Sequence, residues 1–232
     1  MYIAHPSTEL NELFAHKPYQ GVPPDEAQFL FVGLDANYEE HIATRPIFGN
    51  VLEYHSDAVA FWRKHRVHHP FLLPEYSGGG RLYHKSFARL GFTPEHADQV
   101  SFIELLHVPT VGRNVLTATD FSDSHLKMLN HAILQGKATH IFLSATVARL
   151  MRESPTFGWL PRAAKENIGP LGVLHREASK TVYSHLHFST YGKFAQQKAA
   201  QAVAIGALIQ RTDESSLCAT AQLLPLHAPY FA

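Results

Sequence analysis

The chain has 232 residues, with 20 Lys and Arg against 20 Asp and Glu, so its formal net charge is zero and no strong overall field draws polyanions to it. A hydrophobic fraction of 45% fits one globular domain, here 1–232, with a core of ordinary size. No uninterrupted apolar run is long enough for a bilayer, Met1-Tyr2-Ile3-Ala4-His5-Pro6 lacks the features of a secretory signal, and the single cysteine, Cys218, excludes an intramolecular disulfide framework; a cytoplasmic location is expected.

In chain order, Ser7 is placed to cap a short helix through about Ala15. Pro18, Gly21, Pro23 and Pro24 make an irregular stretch. Gln28 to Leu34 reads as a continuous apolar strand, the pattern of a strand covered on both faces. Asp35 to Asn50 reads as a long loop. Helical spacing over His55 to Lys64 turns Phe61 and Trp62 inward, and Pro70 to Gly80 is a second loop. Arg81 to Leu90 reads as a helix closed by Gly91. Val100 to Leu106 is an apolar strand interrupted by Glu104 and ended by Pro109. A helix opens at Ser122 and stops at Gly136. Thr139 to Leu143 is a third strand, Ala145 to Arg152 a helix, and Ser154 to Gly172 a Pro/Gly-rich loop. Thr181 to Leu186 is the fourth strand, and Tyr191 to Arg211 the longest helix. The tail from Thr212 to Ala232 has no clear period, with Leu223, Leu224 and Leu226 as its candidates for docking.

Strands alternating with helices argue an α/β fold: a three-layer α/β/α sandwich around a central four-stranded, mostly parallel sheet. Ligands of such sheets collect beyond the carboxyl ends of the strands. Two stretches carry polar residues to that end, Phe29 to Tyr38 and Val182 to Thr190, and they would bring Asp35 and His187 together. Each residue has an ordinary alternative, Asp35 as a turn cap and His187 as a histidine satisfied by backbone. Glu104 is the oddity, because a carboxylate inside an apolar strand is costly unless paired, for instance with a histidine or with Arg113.

Three motifs in these stretches carry a resemblance. They are Gly33-Leu34-Asp35-Ala36 after the first strand, His187-Phe188-Ser189 after the last, and Phe102-Ile103-Glu104-Leu105-Leu106-His107-Val108-Pro109-Thr110-Val111 between them. In order and spacing they resemble the uracil-DNA glycosylase superfamily over roughly Phe29 to Ile209. The middle motif, the Phe61-Trp62 pair and Ile141-Phe142-Leu143 followed by Ser144-Ala145 are similar to its mismatch-specific uracil glycosylase branch. The chain departs from the family pattern at Ala36 and Phe188, where the family has prolines. It departs again at Asn37, where one branch has a tyrosine that blocks bases carrying a group at C5.

The resemblance implies a monofunctional DNA glycosylase, a monomer with DNA as partner, no membrane and no cofactor. It would flip a pyrimidine out of the stack and hydrolyse its bond to deoxyribose. Such cleavage passes through an oxocarbenium-like sugar while the base leaves with negative charge. Asp35 would stabilise the cation and orient water, and a neutral His187 would donate an N–H to the base oxygen. Gly33, Leu34, Asn37, Phe48 and Glu104 would line the base pocket, with Phe48 stacked on the base. Ser144, Ser189, Thr190, Tyr191 and Lys193 would face DNA. Ser189 and Thr190 would meet phosphate through outward N–H groups, and Tyr191 stands where the family inserts a wedge. Asn37 leaves room at C5, and Glu104 as a hydrogen-bond acceptor favours an amino-bearing base, so a C5-substituted cytosine is expected over plain uracil. Such a target suits defence against DNA with altered bases as well as repair.

The alternatives are core packing for Phe48, capping for Ser189 and Thr190, and surface packing for Tyr191. The basic cluster Arg63-Lys64-His65-Arg66-Val67-His68-His69 reads as a solvated helix end; its Arg63 to Arg66, and Arg162 and Lys165 near Trp159, are also candidate phosphate contacts. Two rival functions stand beside the glycosylase: a nucleic-acid-binding member without catalysis, and a metal-dependent hydrolase using His185 and His187.

Overall fold

The computed structural model describes residues 2–112, 115–177 and 179–222, with 215–222 described by backbone alone. Arg113, Leu223, Leu224, Leu226 and the side chain of Cys218 therefore lie outside the described residues. The elements of the N-terminal half are β1 (Ile3–Ala4), α1 (Thr8–His16), β2 (Tyr19–Gly21), β3 (Phe29–Gly33), β4 (Asn37–Tyr38), α2 (Phe48–Ser56), α3 (Ala58–His65) and α4 (Arg81–Phe87). There follow β5 (Val100–Glu104), β6 (Thr110–Val111), α5 (Asp123–Gln135), β7 (His140–Ser144), α6 (Ala145–Glu153), β8 (Glu166–Ile168), β9 (Leu171–Glu177), β10 (Lys180–His185) and α7 (Ala195–Gln222).

The fold is mixed α/β. Its main sheet has seven strands rather than the four expected, in the order β2-β5-β3-β7-β10-β9-β8. The four strands legible in the sequence are the parallel centre, β5-β3-β7-β10. Antiparallel strands extend both edges: β2 pairs with β5, and β9 and β8 continue outward from β10. β2 is three residues inside a Pro/Gly-rich stretch, and β8 and the first two residues of β9 lie at the end of what reads as a loop, Ser154 to Gly172. A small second sheet, β1-β6-β4, lies near the carboxyl end of β3.

Alternation along β3 explains why its sequence is apolar throughout. Leu30 and Val32 enter one core with Ile103, Leu143 and Leu150, while Phe29 and Phe31 enter another with Phe87, Phe142 and Tyr183. Each such side chain contributes about 1.5–3 kcal/mol when fully buried. A third cluster packs α1 and α2 beside the small sheet through Phe14, Tyr38 and Tyr54.

Local chemistry sets the helix ends. Ser7 accepts a hydrogen bond from the Leu10 N–H and starts α1. Asp57 accepts from the Ala60 N–H at 3.0 Å, which divides the expected His55–Lys64 helix into α2 and α3. Gly91, at φ 100°, closes the turn after α4. Among the described residues no helix is long and apolar enough to cross a membrane.

Candidate active site

In the parallel centre the second strand by sequence, β5, lies on one side of β3, and the third, β7, on the other, so the connections diverge above β3. Beyond the carboxyl ends of β3, β5 and β10 lies a cavity of about 320 Å³. Asp35, Glu104 and His187 all line it.

Asp35 follows β3. The Thr110 hydroxyl donates to its Oδ2 at 2.6 Å. Thr110 is fully buried on β6, and its Oγ1 in turn accepts from the Asn37 side-chain amide at 3.0 Å. The same amide donates to the Gly112 carbonyl at 2.7 Å. The Asn37–Thr110 pair is in register between β4 and β6, so the small sheet orients the Asp35 carboxylate. The Ala36 carbonyl accepts from the Thr110 N–H at 2.9 Å, which fixes the loop's path.

Glu104 ends β5 directly opposite Gly33. Its carboxyl group fills the space that a β-carbon on Gly33 would need. No donor among the described residues bonds to that carboxyl group. Burial, and then the nearby Asp35 charge, push its pKa up to about 8. At neutral pH it is therefore a carboxylic acid, with one O–H donor and an acceptor carbonyl. This corrects the expectation of Glu104 as a hydrogen-bond acceptor alone.

His187 follows β10 and stands exposed at the rim of the cavity, its ring 5.3 Å from that of Tyr83. Its Nδ1 accepts the Ser189 N–H at 3.3 Å, which leaves Nε2 as the protonated nitrogen of the neutral ring. The crowding around its inner side and the charge of Lys198 hold its pKa below the ordinary value, against a smaller opposing pull from Asp35. Phe188 is buried against Phe31, Tyr83 and Phe87 and anchors this turn.

The rest of the cavity wall went unread in the sequence. It includes Tyr54, His68, His69, Phe71, Tyr83 and His84. His69 and His84 stack with ring centroids 3.5 Å apart, and His84 Nδ1 lies 3.3 Å from His68 Nε2. Burial keeps all three neutral, with His84 held down at about 3. His68 and His69 had read as part of a solvated basic helix end. Arg66, in the left-handed region at φ 59°, ends α3 and precedes the turn into the core. The only signal in the sequence was the density of aromatic and histidine residues from His65 to His84.

Other expectations need revision. Gly33, Leu34 and Asn37 line the cavity, but Phe48 does not; it begins α2 and packs in the third core cluster. Ser144 is buried, and its hydroxyl accepts from the Val147 N–H as the cap of α6, so it presents no DNA-facing surface. The N–H groups of Ser189 and Thr190 are taken up by His187 Nδ1 and the His187 carbonyl, which leaves neither for phosphate. The long helix also begins later, at Ala195. Tyr191 is 77% exposed and Lys193 is exposed, as a DNA-facing role requires. Arg63, Lys64 and Arg66 pair with Asp98, Glu53 and Glu95. His185 lines a different cavity from His187, and no group of three metal-ligating side chains converges among the described residues.

No protein-family model matches the chain, and no curated protein matches it either.

Proposed function

We propose that the chain is a DNA glycosylase of the uracil-DNA glycosylase type, built as a three-layer α/β/α sandwich, that hydrolyses the N-glycosidic bond of a flipped pyrimidine. The observation that carries this reading is the convergence of Asp35, Glu104 and His187, from the ends of three parallel strands, on one cavity of nucleobase size. Its volume is that of roughly ten liquid waters at ~30 Å³ each, so a six-membered ring with its exocyclic groups leaves space for a substituent.

In this reading Asp35, fixed by Thr110, faces the sugar. It stabilises the positive charge that develops as the C1′–N1 bond breaks, and it orients water for addition to C1′. The water's hydroxyl goes to the sugar and its proton ends on the departing base. His187 offers its Nε2–H to the base oxygen as negative charge accumulates there. Glu104 reads the base edge as a neutral acid. For a cytosine-type base its O–H meets N3 and its carbonyl accepts from the amino group. The same acid can also pair with uracil's O4 and N3–H, so Glu104 alone does not exclude uracil. The space in the cavity favours a base substituted at C5.

The test is base release from duplexes holding uracil, mismatched thymine or a C5-substituted cytosine. Release of a substituted base supports the reading. DNA binding with no release from any substrate would identify a binding protein instead.

A further inference from the structure

A second cavity, apart from the candidate active site, is a groove of about 680 Å³ between α4, with the turn Ala88–Leu90 that follows it, and the first half of α7. Its floor is apolar, with Leu90, Phe188 and Ile205. Leu82, Tyr191 and Val203 border it at 47%, 77% and 75% exposure. The charged side chains of its lining are Arg89 and Lys198, and its described lining contains no carboxylate. That bias stands out in a chain of zero net charge.

Arg89 is exposed and forms no ion pair among the described residues. Lys198 gives two hydrogen bonds to the carbonyls of Phe188 and Thr190, at 2.6 and 2.7 Å, which leaves one of its three donors for a ligand. The turn from Phe188 to Gly192 lines the groove, and His187, immediately before that turn, lines the candidate active site.

We propose that this groove binds a single-stranded stretch of DNA beside the nucleotide held in the active site. A phosphate sits between Arg89 and Lys198, and a flanking base lies on Tyr191 against Leu82. Aromatic platforms joined to a cationic track are what single strands bind without sequence preference. A second copy of the chain is a poorer occupant, because a two-fold contact through this groove would set Arg89 and Lys198 against their own copies. The inference rests on the glycosylase reading.

The probe is a short labelled oligothymidylate, which carries no target base, titrated across a salt series. Wild type binds, with affinity falling as salt rises. Arg89→Glu is expected to weaken binding about tenfold and to reduce the salt slope by about one. Tyr191→Ala weakens binding by a similar factor but leaves the slope unchanged. Wild-type affinity and slope in Arg89→Glu would overturn the groove assignment, as would a solution dimer that Val203→Glu dissociates. Intact base release alongside that outcome would leave the glycosylase reading standing. Loss of both DNA binding and base release in the wild type would retire both.

Discussion

The carboxyl group of Glu104 occupies the space above Gly33 that any larger residue would fill with its β-carbon. The two residues face one another in register on β5 and β3, so the glycine of the first motif exists to admit the acid of the middle one. Gly33→Ala is expected to push the Glu104 carboxyl group aside. Because the displaced atoms are the end of a flexible side chain, stability should fall by only about 1–3 kcal/mol, the ordinary cost of overpacking. Base selectivity should change more than folding does. Combining Gly33→Ala with Glu104→Ala should give a stability loss smaller than the sum of the two, measured as a double-mutant cycle.

Glu104 also sets a pH dependence. Its carboxyl group holds a proton up to about 8 in the fold, against an ordinary value of 4.5. Between those values the folded state carries a proton that the unfolded state has lost, so stability falls as pH rises through that window. The slope is at most about 1.4 kcal/mol per pH unit for one group. Glu104→Gln keeps a donor and an acceptor but does not titrate. Between about pH 6.5 and 8, above the range in which the buried histidines contribute, denaturation midpoints should fall with pH more steeply in wild type than in this variant.

The buried histidines act in the opposite direction. His55 and His84 are held down at about 3, and His68 and His69 well below 6.5. Their neutral forms are native, so this contribution is complete above the unfolded value of 6.5 and is lost as pH falls toward the folded values. Urea denaturation should show stability declining below about pH 6.5. Replacing His84 with Gln should make that decline shallower, whatever it does to stability at neutral pH.

How far the sequence was legible follows from where each signal came from. The parallel strands announced themselves as apolar runs because both faces of β3, β5, β7 and β10 are covered. Asp35, Glu104 and His187 were legible because each lies at or just past the end of such a run. The edge strands β2, β8 and β9 were not: they are short or lie among prolines and glycines. His68, His69 and His84 were hidden for a different reason. Beside Arg63, Lys64 and Arg66 the first two look like surface residues, and only the turn after α3 takes them inside against His84. Phe48 failed because spacing from Asp35 says nothing about direction once α2 begins at that residue. Thr110 lay within a quoted motif, but its bond to Asp35 depends on the small sheet, whose strands are two residues each.

The ion pairs on α3 change which cations should meet DNA. Arg63 and Arg66 already have acidic partners, and exposed pairs of this kind are worth about 0–1 kcal/mol. Arg63→Ala should leave DNA affinity and its salt dependence unchanged. Arg162 and Lys165 are exposed and without ion-pair partners among the described residues. Arg162→Ala should weaken binding and lower the salt slope by about one. Anisotropy titrations at several salt concentrations distinguish the two.

If Asp35 acts on the sugar of a flipped nucleotide, as proposed, its removal should appear in the single-turnover release of free base. Wild type and Asp35→Asn should be compared on one duplex holding a C5-substituted cytosine. Asparagine keeps the size of the side chain and can still accept from the Thr110 hydroxyl, so folding and DNA binding should be preserved. Losing a charge positioned for the transition state should slow release by about 10²–10³-fold. Base release in Asp35→Asn at the wild-type rate would rule out that role for Asp35, as would the absence of any release by wild-type protein that binds the duplex.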